Sequence, residues 1–374
     1  MATILNSAPP PAARTPRGAV LVNGTLLGGW LSLEVHNNTF FEADTCKIEF
    51  AISALPVMGD YSPNWWTSQQ TPPQIEVRMD CPPDPQHVDP GAMASWFLGV
   101  VERIELDPVR RLLTITGRDM SYALVEAVAD QKILNQRPAA LINSIASSYG
   151  LTANIPNPDS LYVGKASQDD AVKQLAKHSL WEVICSVAKR SGNVVYMTGK
   201  TLNVVAPPTS SQPCWAVNWT EPISGTKVSG DVLSLKFDRD FQIAKGVTVT
   251  VECHSLQGGH TITRSYPHPP KKDPYNGVTG TRDYFYRKPK MKPADALEWA
   301  KSQYHQIVAH ELRVEFEAVG DSLLLRTTPV VVTGTASYFD ATYYPDSITR
   351  HLSMERGYVM TCHAKTASIL DNPQ

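Results

Sequence analysis

Between Phe97 and Ala127 the chain reads FLGVVERIELDPVRRLLTITGRDMSYALVEA, and a sequence containing this stretch has few ways to fold. It spells a strand, a turn at Asp107-Pro108, a second strand and then a helix. In the second strand Leu113, Ile115 and Gly117 share one face while Thr114 and Thr116 take the other, the alternation of a half-buried strand. The polar step Gly117-Arg118-Asp119 then stands between strand and helix, where it is either a catalytic corner or a structural joint. Asp119 is expected to cap the helix, since its carboxylate can accept the unpaired amides of a first turn. Met120, Leu124 and Ala127 or Val128 supply that helix with an apolar stripe.

Strand-like runs precede this hairpin at Ala19–Val22, Trp30–Val35, Ile48–Ile52 and Ile75–Met79, and Asn23-Gly24 is a tight-turn signal. The proline-dense CPPDPQHVDPG, Cys81–Gly91, can only be a surface loop. Helix-rich sequence follows. Pro138 opens a helix with a stripe of Leu141, Ile142, Ile145 and Tyr149, ended by Gly150. A second helical block spans 167–192, with Ser179-Leu180-Trp181-Glu182 as a capping box and Val183, Ile184, Val187 and Ala188 facing inward. NVVYMTGKTLNVV reads as a hairpin, and strands resume after Pro207-Pro208, clearest at Val232–Phe237 and Val247–Glu252. His268–Pro293 is a polar, loop-rich tract with seven Lys/Arg (Lys271, Lys272, Arg282, Arg287, Lys288, Lys290, Lys292) against two Asp, a local +5. Pro293 begins a helix with Leu297, Ala300, Tyr304 and Ile307 on one face, and strands complete the chain.

Most familiar chemistry is missing its second half. Thr198-Gly199-Lys200-Thr201 ends like a phosphate-binding loop, but Val194 occupies the place of the first glycine, and a hairpin turn explains the step. His310-Glu311 opens a zinc-protease pattern in which Val314 replaces the second histidine. Cys253-His254 and Cys362-His363 are strand neighbours that point to opposite faces and cannot chelate alone. None of the six cysteines forms a C-x-x-C pair, and no G-x-S-x-G elbow occurs. No glutamate is followed nine residues later by aspartate, a spacing common in phage-type lysozymes, although two carboxylates can also meet from other spacings. No catalytic, metal or cofactor site is therefore expected. The basic tract, with Tyr275, Tyr284, Phe285 and Tyr286 interleaved, reads first as a solvated loop or one that docks onto an acidic partner (Lys271, Lys272, Arg287, Lys288, Lys290, Lys292) and second as a grip for single-stranded nucleic acid. A net charge of −2 gives the whole chain no pull toward polyanions. Charged residues at 19% hint at surface covered by partners. No window nears the ~20 apolar residues of a membrane helix, and the Pro/Ala-rich start lacks the pattern of a secretion signal.

Taken in order, these pieces resemble the baseplate hub proteins of contractile phage tails, the late-control-D family and its Mu-type relatives. The resemblance rests on the hairpin with its GRD turn and short helix, on RPAALINSIASSYGL, and on SLWEVICSVAKRSGNVVYMTGKTLNVV. It continues through ADALEWAKSQ to the closing VVVTGTASYFDATYYPDSITRHLSMERGYVMTC. It implies a mainly β, α+β fold: a flexible arm over 1–17, a tube-like barrel over 18–128, a small α/β insert over 129–206, and a second barrel over 207–374 with a basic loop insertion at 264–293. It further implies a homotrimer that adapts a sixfold tail tube to a threefold central spike. Its partners would be the spike, tube or tube-adaptor proteins, baseplate wedge proteins and tape measure, with DNA passing transiently through a channel and no membrane contact. The setting would be a virion assembled in the bacterial cytoplasm. On this reading Gly117, Arg118 and Asp119 form a joint: Gly117 lets the chain leave the strand, Asp119 starts the helix and Arg118 bridges to a neighbour. A peptidoglycan-cleaving tail enzyme and a spike base of a type VI secretion system are the competing readings.

Overall fold

A computed structural model describes residues 3–6, 15–82, 84, 86–128, 137–156, 178–190, 192–220, 229–244, 246–254, 261–268, 282–289, 293–308 and 310–366. The chain starts with β1 (Arg17–Val22), β2 (Thr25–Leu27), β3 (Trp30–Asn38), β4 (Thr45–Ala51), α1 (Pro63–Ser68), β5 (Gln74–Asp80), β6 (Ser95–Asp107) and β7 (Leu112–Asp119). Asn23 and Gly24, both at positive φ, close the β1–β2 hairpin where the sequence places it. The strands run β3-β4-β7-β6-β5-β1-β2 and are antiparallel throughout. Their alternating residues, among them Val20, Leu33, Ile48, Phe50, Val77 and Ile115, meet in one apolar core roofed by Trp66 of α1. The sheet curls on itself: a Cβ on Gly18 in β1 would stand 2.7 Å from Leu33 in β3, at the far end of that strand order.

A small α/β unit follows, with α2 (Tyr122–Glu126), α3 (Pro138–Ser148), β8 (Thr152–Asn154), α4 (Leu180–Arg190), β9 (Val194–Thr198) and β10 (Thr201–Val205). The capping box forms in full: Glu182 N donates to Ser179 Oγ at 3.2 Å and Ser179 N to a Glu182 carboxylate oxygen at 3.1 Å. Val183, Ile184, Val187 and Ala188 are buried as the stripe requires. In α3 the buried set is Pro138, Leu141, Ile142, Ile145 and Ala146, while Tyr149 lies past the last turn and is exposed. The block expected over 167–177 lies outside the described residues.

The chain continues through β11 (Trp215–Thr220), β12 (Ser229–Gly230), β13 (Ser234–Arg239), α5 (Phe241–Ala244), β14 (Val247–His254), β15 (Thr261–Tyr266), β16 (Arg282–Pro289), α6 (Pro293–Val308), β17 (Leu312–Val319), β18 (Val330–Thr333), β19 (Thr342–Ser353) and β20 (Gly357–Lys365). A second curled sheet forms from β11, β13 and β17–β20, with the short β12 on its edge. Trp215 of β11 stacks at 5.5 Å on Phe316 of β17, although three strands separate them in the sheet order. The two sheets are continuous, because β19 pairs with β3 from Ser347↔Asn38 to Ser353↔Ser32. Among the described residues fourteen strands share this sheet, seven from each side of the insert.

Two segments differ from the sequence reading. Part of the tract read as loop is built: β15-β14-β16 form a separate three-stranded sheet covered by α6. Tyr284 and Tyr286 alternate inward on β16 with Phe285 and Arg287 outward, a strand pattern hidden in sequence by the prolines and charges around it. The buried stripe of α6 is Ala296, Ala300, Tyr304 and Val308, which keeps the expected Ala300 and Tyr304 and has Ala296 and Val308 in place of Leu297 and Ile307 at its ends. At the N-terminus, residues expected to lie free are tied down. Leu5 N donates to Cys214 O at 2.8 Å, Cys214 N to Thr3 O at 2.9 Å, and Asn6 exchanges two 2.8 Å hydrogen bonds with the backbone of Ala216.

Candidate functional site

The Gly117-Arg118-Asp119 step ends β7, and Gly117 and Asp119 take tasks other than those expected. Gly117 does not release the strand, which runs on to Asp119. It keeps space open: a Cβ here would lie 2.7 Å from Ile75, 2.9 Å from Val100 O and 3.2 Å from Cys46 Sγ. Arg118 bridges within its own chain, to Glu102 at the β6 bulge, and both side chains are partly exposed. Asp119 is not the helix cap, because Ser121 holds that position. Asp119 instead accepts from Ser121 N at 2.9 Å and Ser121 Oγ at 2.5 Å, and its other oxygen accepts from Asp44 N at 2.8 Å.

Asp119 thus reaches into a buried polar node that sequence reasoning missed. Asp44 and Asp119 are each 4% exposed. Asp44 accepts from Asn37 Nδ2 and Asn38 N, both at 3.0 Å, and forms a two-pronged ion pair with Arg326, one prong at 3.0 Å. Arg326 also donates to Asn38 O at 2.5 Å and Thr39 O at 3.2 Å. Its guanidinium lies 5.2 Å from the Tyr196 ring of β9. Arg350 of β19 occupies an inward position between Ile348 and Leu352 and is 1% exposed. It donates to Asn37 Oδ1 at 2.6 Å and to Leu324 O, and lies 3.5 Å over the Trp96 ring.

The first sheet contributes Asn37, Asp44, Trp96 and Asp119, the second Arg326 and Arg350, and the insert Tyr196. Three parts of the chain lock at one point. The insert is latched beside it: Trp181 Nε1 donates to Phe41 O at 3.0 Å, Phe41 N to Val195 O at 2.8 Å, and Lys189 sits 4.4 Å over the Phe41 ring. The sequence did carry a signal. Asn37-Asn38 ends a strand of apolar alternation, and Arg350 falls where that alternation demands an apolar side chain.

Chemically the node clamps rather than reacts. Burial, and next the charge of Asp44, push the Asp119 carboxyl up to about 6. Burial pulls the Arg350 guanidinium below its ordinary range. Both carboxylates are shielded from solvent, and Asp44 is committed to Arg326. Among the described residues no group of three or more His, Cys, Asp or Glu can hold a metal ion, and all six cysteines are free thiols. Gly199 and Lys200 form the β9–β10 turn. Glu311 is buried against Arg239 at 3.3 Å. Of the docking residues, Arg287 and Lys288 lie on β16, and Lys271, Lys272, Lys290 and Lys292 lie outside the described residues.

The fold is a mainly β body of two curled sheets joined edge to edge, each followed or interrupted by an α/β unit. It is similar to the tail protein from Neisseria meningitidis MC58, with a TM-score of 0.69 and 16% identity over 94% of this chain and 96% of that one. It is similar also to the 43 kDa tail protein of prophage MuSo2 from Shewanella oneidensis (TM-score 0.62, 12% identity, 93% and 97% covered). A component of the Escherichia coli type VI secretion system, itself described as similar to T4 tail proteins gp27 and gp5, matches at TM-score 0.50 and 10% identity over 94% and 77%. At these identities the likeness is one of fold, and at that level the resemblance to phage tail proteins holds. No protein-family model and no curated protein matches the sequence.

Proposed function

We propose that this chain is a structural baseplate hub of a contractile phage tail: a homotrimeric ring that adapts the sixfold tube to the threefold spike and encloses a channel for tape measure and DNA. One observation carries the reading. Each copy holds two curled sheets, with seven strands from either side of the insert among the described residues, fused through β3 and β19 into one body. Three such copies present six sheet units, which reconciles the two symmetries. The fold likeness to phage tail proteins along nearly the whole chain supports the same conclusion. The partners are then the spike, tube or tube-adaptor, wedge and tape-measure proteins, in a virion assembled in the bacterial cytoplasm. The role is scaffolding with no turnover, in keeping with node carboxylates that are sealed and paired.

A second reading has an observation of its own, since the fold is shared with a type VI secretion component. As a spike base the chain performs the same physical task in a different apparatus. Light scattering and electron microscopy of the purified chain, alone and with spike and tube proteins, test the proposal. A threefold ring with a central hole is expected, and a persistent monomer or dimer with those partners present sinks it. Peptidoglycan clearing in a zymogram by the purified chain would overturn the non-enzymatic part.

A further inference from the structure

Charge is distributed unevenly along a chain whose total is only −2. Residues 18–128 hold six Lys/Arg against fourteen Asp/Glu, a formal −8, whereas residues 268–293 carry +5. In the structure the basic tract surfaces on β16, at the edge of the three-stranded sheet. Arg287 is 81% exposed and its only carboxylate contact among the described residues is a loose 3.5 Å approach to Glu252. Phe285, 52% exposed, lies beside Arg287 on the same outward face, and Lys288 stands over Trp299 of α6 at 4.7 Å. Cations and an exposed ring together make a surface that favours an acidic protein face.

The first sheet offers such a face. Several of its acids are neutralised locally, as in Arg78–Glu76 at 2.8 Å and Lys47–Glu49 at 2.8 Å. The loop after β5 differs: Asp84 and Asp89 are exposed, Asp84 touches His87 at 3.0 Å, and Asp89 accepts from Gly91 N at 2.8 Å. Neither forms an ion pair with Lys or Arg among the described residues. Prolines on both sides stiffen the loop, which lowers the ordering cost of a contact.

We infer that the β16 edge of one copy docks on the acidic Asp84/Asp89 loop of the next copy. The two patches are distinct and complementary, so the contact is head-to-tail, which gives a ring, rather than a twofold pair, where the rotation closes. The inference rests on the ring reading and names the surfaces that would hold the ring together.

Sedimentation of the full chain tests it, with thermal melts confirming that each variant is folded. Assembly should weaken at least about tenfold between roughly 50 mM and 500 mM salt, as contacts between exposed charges are screened. Arg287→Glu with Lys288→Glu should weaken assembly by a similar factor at low salt, and so should Asp84→Lys with Asp89→Lys. The chain carrying all four substitutions should recover assembly, because the two charges are exchanged rather than lost. Variants that assemble like the parent, or a quadruple variant that stays apart, overturn the inference while leaving the ring reading intact. A parent chain that never assembles with its tail partners removes both, and the mass of the parent distinguishes the two failures.

Discussion

The two α/β units that interrupt the sheet are put to different uses. The first, around α4 and β9, is bolted to the body by Trp181, by the Phe41–Val195 hydrogen bond and by Arg326 over Tyr196. The second, around β14 and α6, leaves and re-enters the sheet at neighbouring points, where Asp240 N donates to Glu311 O at 2.8 Å and Arg239 pairs with Glu311. It turns Phe285 and Arg287 toward solvent. A unit of similar size thus serves as an internal brace in one place and as an outward arm in the other. Integration is expected where side chains cross between modules, and recognition where they do not.

The contrast breaks if damage to the two units costs the same. Trp181→Ala should have the largest effect, about 3–5 kcal/mol of stability, because it opens a cavity in the first unit and strips the Phe41 carbonyl of its donor. Chemical denaturation would read it, and a loss below about 1 kcal/mol would show that the brace is not structural. The node makes stability depend on pH. The folded state raises Asp119 from 3.8 to about 6, so within that window the folded chain holds a proton that the unfolded chain has released. Stability should therefore fall as pH rises from 3.8 to about 6, by on the order of 3 kcal/mol, and the slope should flatten in Asp119→Asn. Stability that rose across this interval in the parent and not in Asp119→Asn would contradict the assignment. Arg118→Ala removes only a partly exposed ion pair with Glu102 and should cost less than about 1 kcal/mol. Smallest of all, Arg287→Gln should move the melting free energy by less than about 0.5 kcal/mol, since its role lies at the surface.

Much of this was legible in the sequence where local rules coincide with tertiary need. The β6–β7 hairpin, the Asn23-Gly24 turn and the Ser179–Glu182 capping box each depend on neighbours within a few residues, and each forms as expected. Spacing singles out Gly117–Asp119 as a polar step between strand and helix, but the partners of Asp119 cannot be read from it. Asp119 meets Asp44 across 75 positions, and Arg326 meets Asp44 across 282. In the second α/β unit the strand at Val247–Glu252 and the helix from Pro293 are legible, but β16 is not: Tyr284 and Tyr286 look like polar-aromatic loop residues until α6 supplies the surface they pack on. Side chains that are apolar on one end and polar on the other take their assignment from what covers them.

The pairing of β3 with β19 places a constraint on synthesis. The strand that completes the edge of the first sheet is encoded some three hundred residues downstream, so a nascent N-terminal half emerges with Ser32–Asn38 bare. Such an edge invites foreign strands until its own arrives. The halves of this protein are therefore poor candidates for separate expression, and a ribosome that stalls before Thr342 would release a chain prone to clump.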